Sequence, residues 1–496
     1  MLFNSLHFLL FFPLVVFVYF TIPSRIKWVW LLVTSYYFYM CWNPIYVFLM
    51  LGSTLVTYLC GIVLNILDDS ALEERNKTHN KKILLAVSLM LNLSVLFFFK
   101  YFNFLNDSLR EILGSVGINY TINNFDFLLP VGISFYTFEV ISYTIDVYRG
   151  TVKAEKNFFR YALFVAFFPK LVAGPIERPT NLLPQLNKNH TFNLDEARSG
   201  LMLMLWGFFQ KIIIADRLAI LANTVFNDVE KYKGFQFVIA ILFFSFQIFC
   251  DFSAYSDIAT GASRILGFKL LNNFERPYFA QNIRDFWRKW HISLSTWFKD
   301  YLYFPLGGNK KGKWNTYRNI MIVFIVSGVW HGANWTFVVW GALHGIYQVC
   351  SILFAPYQTK IIQRLGADEE TFSVKFFNVL ITFSLVCFAW IFFRANTIGD
   401  AFFIVRNIFT YNPETILTDE LYSLGLEATE FRIAVYSIML LLIVHFFQRQ
   451  YKLREFIMKQ TLPFRWAAYL IAILSILIYG IYGSTYDASQ FIYFQF

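Results

Sequence analysis

Two histidines in tryptophan-rich stretches are the residues best suited to chemistry. The first is His331, in the sequence Ser-Gly-Val-Trp-His-Gly-Ala-Asn that begins at Ser327 inside a long apolar run. A neutral imidazole can take a proton from a hydroxyl near pH 7 without burying a permanent charge. Ionisable residues within membrane segments are rare and are functional by default. His331 is therefore a candidate general base, and the alternative is a buried histidine that hydrogen-bonds a neighbouring carbonyl.

The second histidine, His291, lies in a basic and aromatic stretch from Arg284 to Gly308. One interpretation is an amphipathic helix at the membrane surface, with tryptophan anchors and cations that face lipid headgroups. The other is a cytoplasmic entrance whose cations attract an anionic acyl donor. His344 follows His331 by thirteen residues, and we interpret it as structural.

A third polar segment, from Gln247 to Gly261, closes another apolar run. Its carboxylates Asp251 and Asp257 are able to pair with cations or to orient a histidine. Because they are six residues apart, they fall on different faces of a helix, so a shared acid–base pair is not expected. A scaffold role is favoured, because polar groups within membranes usually satisfy one another. No cysteine or histidine spacing indicates a metal site.

The elements that position these residues are membrane helices. Of 496 residues, 57% are hydrophobic and 15% are charged, which excludes an ordinary soluble domain. The long apolar runs predict an all-α polytopic membrane protein with about ten to twelve transmembrane helices. Interruptions such as Leu129–Gly132 and Phe168-Pro169 predict additional re-entrant or interfacial helices, which must be buried in protein or line a cavity. No repeat or linker divides the chain, so one domain is expected over residues 1–496.

The distribution of charge predicts the orientation of the chain. Between Arg276 and Arg318 there are nine Lys and Arg residues, whereas residues 396–430 carry six carboxylates and one arginine. Because cytoplasmic loops are enriched in Lys and Arg, the first segment is predicted to be cytoplasmic and the acidic loop external. The net charge of +10 is thus explained by membrane orientation, and no nucleic-acid partner is expected.

Several of these segments together resemble the membrane-bound O-acyltransferase family, and more closely its bacterial polysaccharide branch. The resemblance rests on the opening Met1–Ser5, on Phe168-Pro169 with Gly174–Ile176, on Asp251–Asp257, on Arg284–Gly308 and on Trp330–Gly332. It implies a helical fold around a central tunnel, with the catalytic motifs in residues 284–345. It also implies that His331 and His291 are the catalytic residues.

The resemblance further implies a reaction. An acyl group, acetyl in the nearest relatives, passes from acyl-CoA or another cytoplasmic thioester, with no bound cofactor or metal, toward a polysaccharide or partner hydroxyl outside the cell membrane. Membrane lipid and a serine-hydrolase-like extracytoplasmic acetyltransferase are the expected partners. The residues expected to bind substrate are Trp290, Arg288, Trp330, Asn334, Asp251 and Asp257.

Two alternatives remain open at the level of sequence. A polytopic chain with broken helices and a polar centre is also typical of a transporter or flippase that moves a lipid-linked glycan. The same fold with another acceptor would acylate a lipid or a secreted protein. Loss of acyl incorporation in a His331 variant, as opposed to loss of substrate flux, would separate enzyme from transporter.

Overall fold

The computed structural model describes residues 1–71, 73–126, 128–412 and 414–482. Within these ranges every regular element is a helix and no strand occurs. The described residues divide into two compact units, one within Met1–Met204 and Ile258–Leu271 and the other within Leu205–Asp257 and the described residues from Asn272 onward. Whether residues 1–496 form the single domain expected from the sequence is not decided by this division, and the single domain stays a prediction.

Apolar helices of membrane length confirm a multi-pass membrane protein. In the described ranges, seven helical segments are long and apolar enough to cross a bilayer: Pro44–Asp69, Glu74–Lys100, Phe235–Ile265, Trp335–Arg364, Phe372–Arg394, Ala428–Phe447 and Leu462–Tyr479. Leu6–Thr21 is a shorter apolar helix. The predicted count of ten to twelve included runs that fold as helices shorter than 18 residues, such as Ile133–Tyr148. Composition predicts burial in lipid, whereas helix length depends on where proline and glycine interrupt the run.

The first unit contains mostly short and medium helices. They are α1 (Leu6–Thr21), α2 (Lys27–Met40), α3 (Val47–Asp69), α4 (Glu74–Lys100), α5 (Phe102–Ser115), α6 (Ile133–Tyr148), α7 (Phe158–Ala166), α8 (Phe168–Leu171), α9 (Pro179–Leu186) and most of α10 (Leu194–Phe208). The predicted interruptions are confirmed, because α6 begins after Gly132 at φ 74° and the chain breaks between α7 and α8 at Phe167. Glycine adopts that left-handed conformation without steric cost.

Buried charges in the first unit satisfy one another. The Lys170 ammonium donates to the Glu139 carboxylate, which also accepts the Glu177 backbone N–H at 3.1 Å. Glu177 in turn accepts the Asn181 side-chain amide at 2.7 Å and the Leu271 backbone N–H at 2.6 Å. Buried ions require this pairing. Glu139 thus links Lys170 and the backbone of Glu177 in one buried cluster.

The second unit contains the predicted catalytic residues. Its helices are α11 (Asp216–Phe226), most of α12 (Phe235–Ile265), α13 (Ile283–Lys289), α14 (Ile292–Phe298), α15 (Lys313–His331), α16 (Trp335–Arg364), α17 (Phe372–Arg394), α18 (Ile398–Asn407), α19 (Glu414–Leu417), α20 (Ala428–Phe447), α21 (Leu453–Met458) and α22 (Leu462–Tyr479). Two π-helical segments, Phe209–Ala215 and Lys299–Tyr303, belong to it. Short 3₁₀ turns in the chain are Pro44–Tyr46, Val229–Lys231, Pro277–Phe279 and Asp419–Ser423.

The stretch from Arg284 to Gly308 differs from the surface helix that was one interpretation of its sequence. It forms α13 and α14 with a break at Trp290 and His291, followed by a π-helical turn. Trp290 and His291 are buried, so they do not anchor the chain at lipid headgroups. Amphipathic spacing alone did not reveal that the helix breaks and turns its aromatic residues inward.

Small residues bring α15 and α16 into close contact. A Cβ built on Gly328 would overlap the Phe337 carbonyl oxygen and lie 3.2 Å from the Gly341 Cα, and one built on Gly341 would overlap the Phe324 carbonyl oxygen. Glycine at such positions lets helix backbones approach closely in membranes. The apolar run from Ile320 to Phe354 is therefore divided between two helices that pack along glycines.

Candidate active site

The site is built around the break between α15 and α16. His331 ends α15, the backbone is extended at Gly332, and Asn334 caps α16 by accepting the Thr336 N–H at 3.0 Å. A side chain at Gly332 would collide with the Phe337 ring, so glycine is needed for this loop to close onto α16. His331 is held in place by this turn with only 6% of its surface exposed.

An aromatic cluster surrounds His331 and connects it to two further histidines. The cluster is defined as Trp287, Trp290, Trp330, Trp340, Trp390 and Phe393 together with His291, His331 and His344. The centroid of the His331 ring lies 4.9 Å from that of Trp330, 5.0 Å from that of Trp340 and 5.3 Å from that of Phe393. Aromatic rings at these separations exclude water and give an imidazole a fixed, low-dielectric environment.

His291 reaches the same cluster through a strained backbone. It adopts φ 44°, a left-handed conformation that costs about 1–3 kcal/mol for a non-glycine residue and is often found at functional sites. Its ring packs edge-on to Phe252 at 4.6 Å and lies 6.2 Å from the ring of Trp330. Complete burial lowers the pKa of His291 to about 3, because water cannot solvate the imidazolium. The structure thus brings both predicted catalytic histidines against Trp330.

Asn273 fixes the backbone around His291. Its side-chain oxygen accepts the Ser293 hydroxyl at 2.6 Å, its side-chain amide donates to the Ser256 hydroxyl at 2.8 Å, and its carbonyl oxygen accepts the Ile292 N–H at 2.9 Å. These bonds hold the start of α14 and stabilise the conformation that His291 requires. This role of Asn273 could not be predicted from the sequence, since an asparagine in an irregular segment has no distinguishing pattern.

His344 lies inside the aromatic cluster and has a defined tautomer. The Trp287 indole N–H donates to Nδ1 of His344 at 3.2 Å. Because an indole nitrogen only donates, Nδ1 is the acceptor and the proton of the neutral ring is on Nε2. The Trp340 ring lies 5.0 Å from both His331 and His344. A histidine interpreted from sequence as structural therefore shares the surroundings of His331.

The residues expected to bind substrate fall at different places. Trp290 and Trp330 are buried within the aromatic cluster. Asn334 is half-buried beside His331 and donates to the Asn396 carbonyl oxygen at 3.0 Å. Arg288 is exposed on α13, outside the cluster. Trp330 and Asn334 thus lie beside His331, and the substrate-binding roles of all these residues stay predictions.

Asp251 and Asp257 belong to a buried polar layer instead. The Lys211 ammonium donates to Asp251 at 2.6 Å and forms an ion pair with Asp216 at 2.9 Å. Asp257 accepts the side-chain amide of Gln210 at 3.0 Å. Each aspartate has its own partner, in agreement with the argument that they do not share a proton. The partners come from the π-helical segment, whose irregular backbone turns Gln210 and Lys211 inward.

A polar cavity of about 440 Å³ lies beside His331. Its lining residues come from the end of α11, from the loop between α15 and α16, from the first turn of α16 and from the end of α17: Asn223, Asn227, Gly332, Ala333, Asn334, Phe337, Arg394, Ala395 and Asn396. Phe337 packs on Phe393 at 5.0 Å, and Phe393 packs on His331 at 5.3 Å. Buried Arg394 was missed by sequence analysis, because one cation at the end of an apolar helix resembles an ordinary membrane boundary.

Comparison with known proteins identifies the family. The model of the membrane-bound O-acyltransferase family matches residues 153–398, which contain both predicted catalytic histidines. The probable alginate O-acetylase of Pseudomonas putida is 41% identical over 399 residues, 80% of this chain and 78% of that protein. The peptidoglycan O-acetyltransferase of Helicobacter pylori is 33% identical over 428 residues, 81% of this chain and 76% of that protein. The chain belongs to the membrane-bound O-acyltransferase family.

A relative with lower identity is named for the transfer of a different acyl group, D-alanyl. The teichoic acid D-alanyltransferase of Bacillus subtilis is 31% identical over 280 residues, 54% of this chain and 69% of that protein. The resemblance inferred from sequence is thereby confirmed, and the protein is an acyltransferase. The roles of His331, His291 and the expected substrate-binding residues in this acyltransferase stay predictions.

Proposed function

We propose that this acyltransferase moves an acetyl group from a cytoplasmic thioester, such as acetyl-CoA, to a hydroxyl on the external side of the cytoplasmic membrane. The acceptor hydroxyl belongs to a polysaccharide or to an extracytoplasmic, serine-hydrolase-like partner that completes the transfer. The observation that supports the proposal best is that His291 and His331 both lie near one residue, Trp330, with ring centroids 6.2 Å and 4.9 Å from that of the indole. The names of the relatives, which include O-acetyltransferases, support the acetyl group.

His331 is proposed to act as the general base. It accepts the proton of the attacking hydroxyl, whose oxygen bonds to the thioester carbonyl carbon. The carbon–sulfur bond then breaks, and the leaving thiolate takes up the proton. General-base catalysis of this kind accelerates a reaction by about 10²- to 10⁴-fold.

His291 is proposed to hold the thioester rather than to take the proton. A group whose pKa is about 3 stays neutral through the physiological range and is a weak base. A neutral imidazole still donates one hydrogen bond, and such donors stabilise the oxyanion that forms on the carbonyl. Trp290 and Asn334 are further donors for positioning the substrates.

The transporter alternative leads to a different outcome in the same experiment. Labelled acetyl-CoA is supplied to the cytoplasmic face of inside-out membrane vesicles that contain equal amounts of wild type, His331→Ala or His79→Ala. His79 is exposed and lies on α4, far in sequence from the site, so its variant is the control. The label is then followed into protein, lipid and glycan fractions.

We expect the His331 variant to lose at least about 100-fold of the labelling and the His79 variant to keep it. The fraction that is labelled in the wild type distinguishes a polysaccharide from a lipid or protein acceptor. Unchanged labelling in the His331 variant would contradict the catalytic assignment. Transfer of intact glycan without acyl incorporation would favour the transporter.

A further inference from the structure

The polar cavity beside His331 contains a buried positive charge that lacks a negative partner. Arg394 is 7% exposed and lines the cavity at the end of α17. Within the described part of the chain it forms no ion pair, and it donates to the amide oxygens of Asn223 at 2.7 Å, Asn227 at 3.0 Å and Asn396 at 3.2 Å. A buried charge paired only with neutral groups is unfavourable, and a bound anion would relieve that cost.

The amides that accept from Arg394 keep their nitrogens as further hydrogen-bond donors in the residues that line the cavity. A guanidinium only donates, so each asparagine must turn its oxygen toward Arg394. The amide nitrogens of Asn223 and Asn227 have no acceptor in the described ranges, and Nε of Arg394 has none either. Among the described residues that line the cavity, none carries a carboxylate. A site made of donors and one cation is suited to an oxygen-rich anion.

Other features partly stabilise Arg394 but do not supply a negative charge. Its guanidinium lies 5.5 Å from the Phe226 ring, and its position at the end of α17 is favourable in the helix dipole. The start of α16, at Asn334, adds positive potential to the same cavity. The net electrostatic character of the cavity is therefore positive.

The location and size of the cavity indicate which substrate it receives. Arg394 immediately precedes the acidic loop of residues 396–430, which the charge distribution predicts to be external. A volume of about 440 Å³ lies in the range of sites for small organic ligands. Hydroxyl-bearing rings suit the amide donors, and a carboxylate suits Arg394.

We propose that this cavity is the acceptor subsite and that Arg394 binds the carboxylate of an acidic sugar residue, which places a neighbouring hydroxyl at His331. The assignment of an acceptor rests on the function proposed above, whereas the binding of an acidic sugar does not. Arg394 would then determine specificity, and Asn223 and Asn227 would position the sugar ring.

Binding measurements with the full-length protein in nanodiscs test this proposal. The probes are a uronic acid trisaccharide and the neutral hexose trisaccharide of the same linkage, and binding is measured without any acyl donor. A charge-assisted hydrogen bond predicts a preference of about 10- to 100-fold for the acidic sugar in the wild type. Arg394→Gln should abolish that preference, and Arg394→Lys should keep part of it.

A second variant answers the concern that loss of Arg394 damages the fold. Asn223→Asp places a carboxylate within ion-pair distance of the guanidinium, so it should raise the unfolding temperature while removing the preference for the acidic sugar. Equal binding of both sugars by the wild type would overturn the proposal, as would a preference that persists in Asn223→Asp. A short peptide with a free carboxylate serves as a third probe, and binding of that peptide alone would also overturn the proposal. Acyl transfer that survives in His331→Ala refutes the proposed function instead, and leaves the sugar-binding result unaffected.

Discussion

Replacing Gly341 with alanine should push α15 away from α16 and slow acyl transfer while the protein stays folded. The new Cβ would overlap the carbonyl oxygen of Phe324 and lie 3.2 Å from the Cα of Gly328. Real Cβ atoms essentially never come within 3.0 Å of such a neighbour. Both neighbouring atoms belong to helical backbone, so neither can rotate away as a side chain would.

The size of the effect follows from the position of His331 on the displaced helix. To relieve the overlap, α15 and α16 must move apart by roughly 0.5–1 Å, since packed interiors leave no spare volume. His331 is three residues after Gly328 and would shift with it. A displacement of about 1 Å in a reacting group can lower a rate by about 100-fold, whereas overpacking costs about 1–3 kcal/mol of stability. We therefore expect kcat to fall roughly 10- to 100-fold.

Two other glycines provide graded controls. A Cβ at Gly345 would lie 2.8 Å from the Met321 sulfur, at the flexible end of a side chain that can move, and one at Gly52 would meet nothing within 4 Å. The rates should decrease in the order Gly52→Ala, Gly345→Ala, Gly341→Ala. The assay is thioester-dependent acyl transfer, normalised to protein that remains folded by thermal unfolding in detergent.

Equal rates in the Gly341 and Gly52 variants would refute the reasoning. That result would mean that the close approach of the two helices does not position His331. Unfolding of Gly341→Ala would be visible in the thermal measurement, and the milder Gly345→Ala would then decide whether displacement of α15 affects the rate.

Three further predictions concern polar groups. Trp287→Phe keeps an aromatic ring but removes the hydrogen bond that fixes the tautomer of His344. Because such a bond is worth about 1 kcal/mol, kcat should fall about 3- to 10-fold with little change in the unfolding temperature. An unchanged kcat would contradict this prediction. His291 has a pKa lowered from 6.5 to about 3, so folding excludes its proton and stability should decrease as the pH falls from about 6.5 toward 3. That decrease, followed by thermal unfolding, should be smaller in His291→Gln, and identical pH profiles would argue against a buried neutral ring. Lys211→Met leaves Asp251 buried without its cation and should cost about 3–5 kcal/mol of stability, which denaturation in detergent would measure; wild-type stability would show that the ion pair is dispensable.

Local patterns in the sequence were sufficient to predict the membrane character and the interruptions at Leu129–Gly132 and Phe168-Pro169. Hydropathy is a sum over neighbouring residues, so the spans from Val47 to Asp69 and from Phe372 to Arg394 could be recognised without knowledge of the fold. The break after His331 was not predicted from the sequence, in which this residue lies inside a long apolar run. The family resemblance came from the same short segments, and the comparisons confirm it.

The partners of these residues could not be predicted in the same way. Trp287 and His344 are 57 positions apart, and Arg394 and Asn223 are 171 apart. No periodicity links such positions, since each side chain can pair with many others until the helices pack. The left-handed conformation of His291 was equally hidden, because it depends on hydrogen bonds that Ile292 and Ser293 donate to Asn273.

The sequence by itself thus determined that the chain is an all-helical membrane protein, which residues break its helices and which histidines are candidates for catalysis. These properties depend on residue type and on neighbours within a few turns. Only the tertiary structure decided that His344 joins the aromatic cluster, that Asp251 pairs with Lys211 and that Arg394 lines a cavity beside His331. Burial and pairing are set by elements distant in the chain, and they determine the charge and proton position of each group.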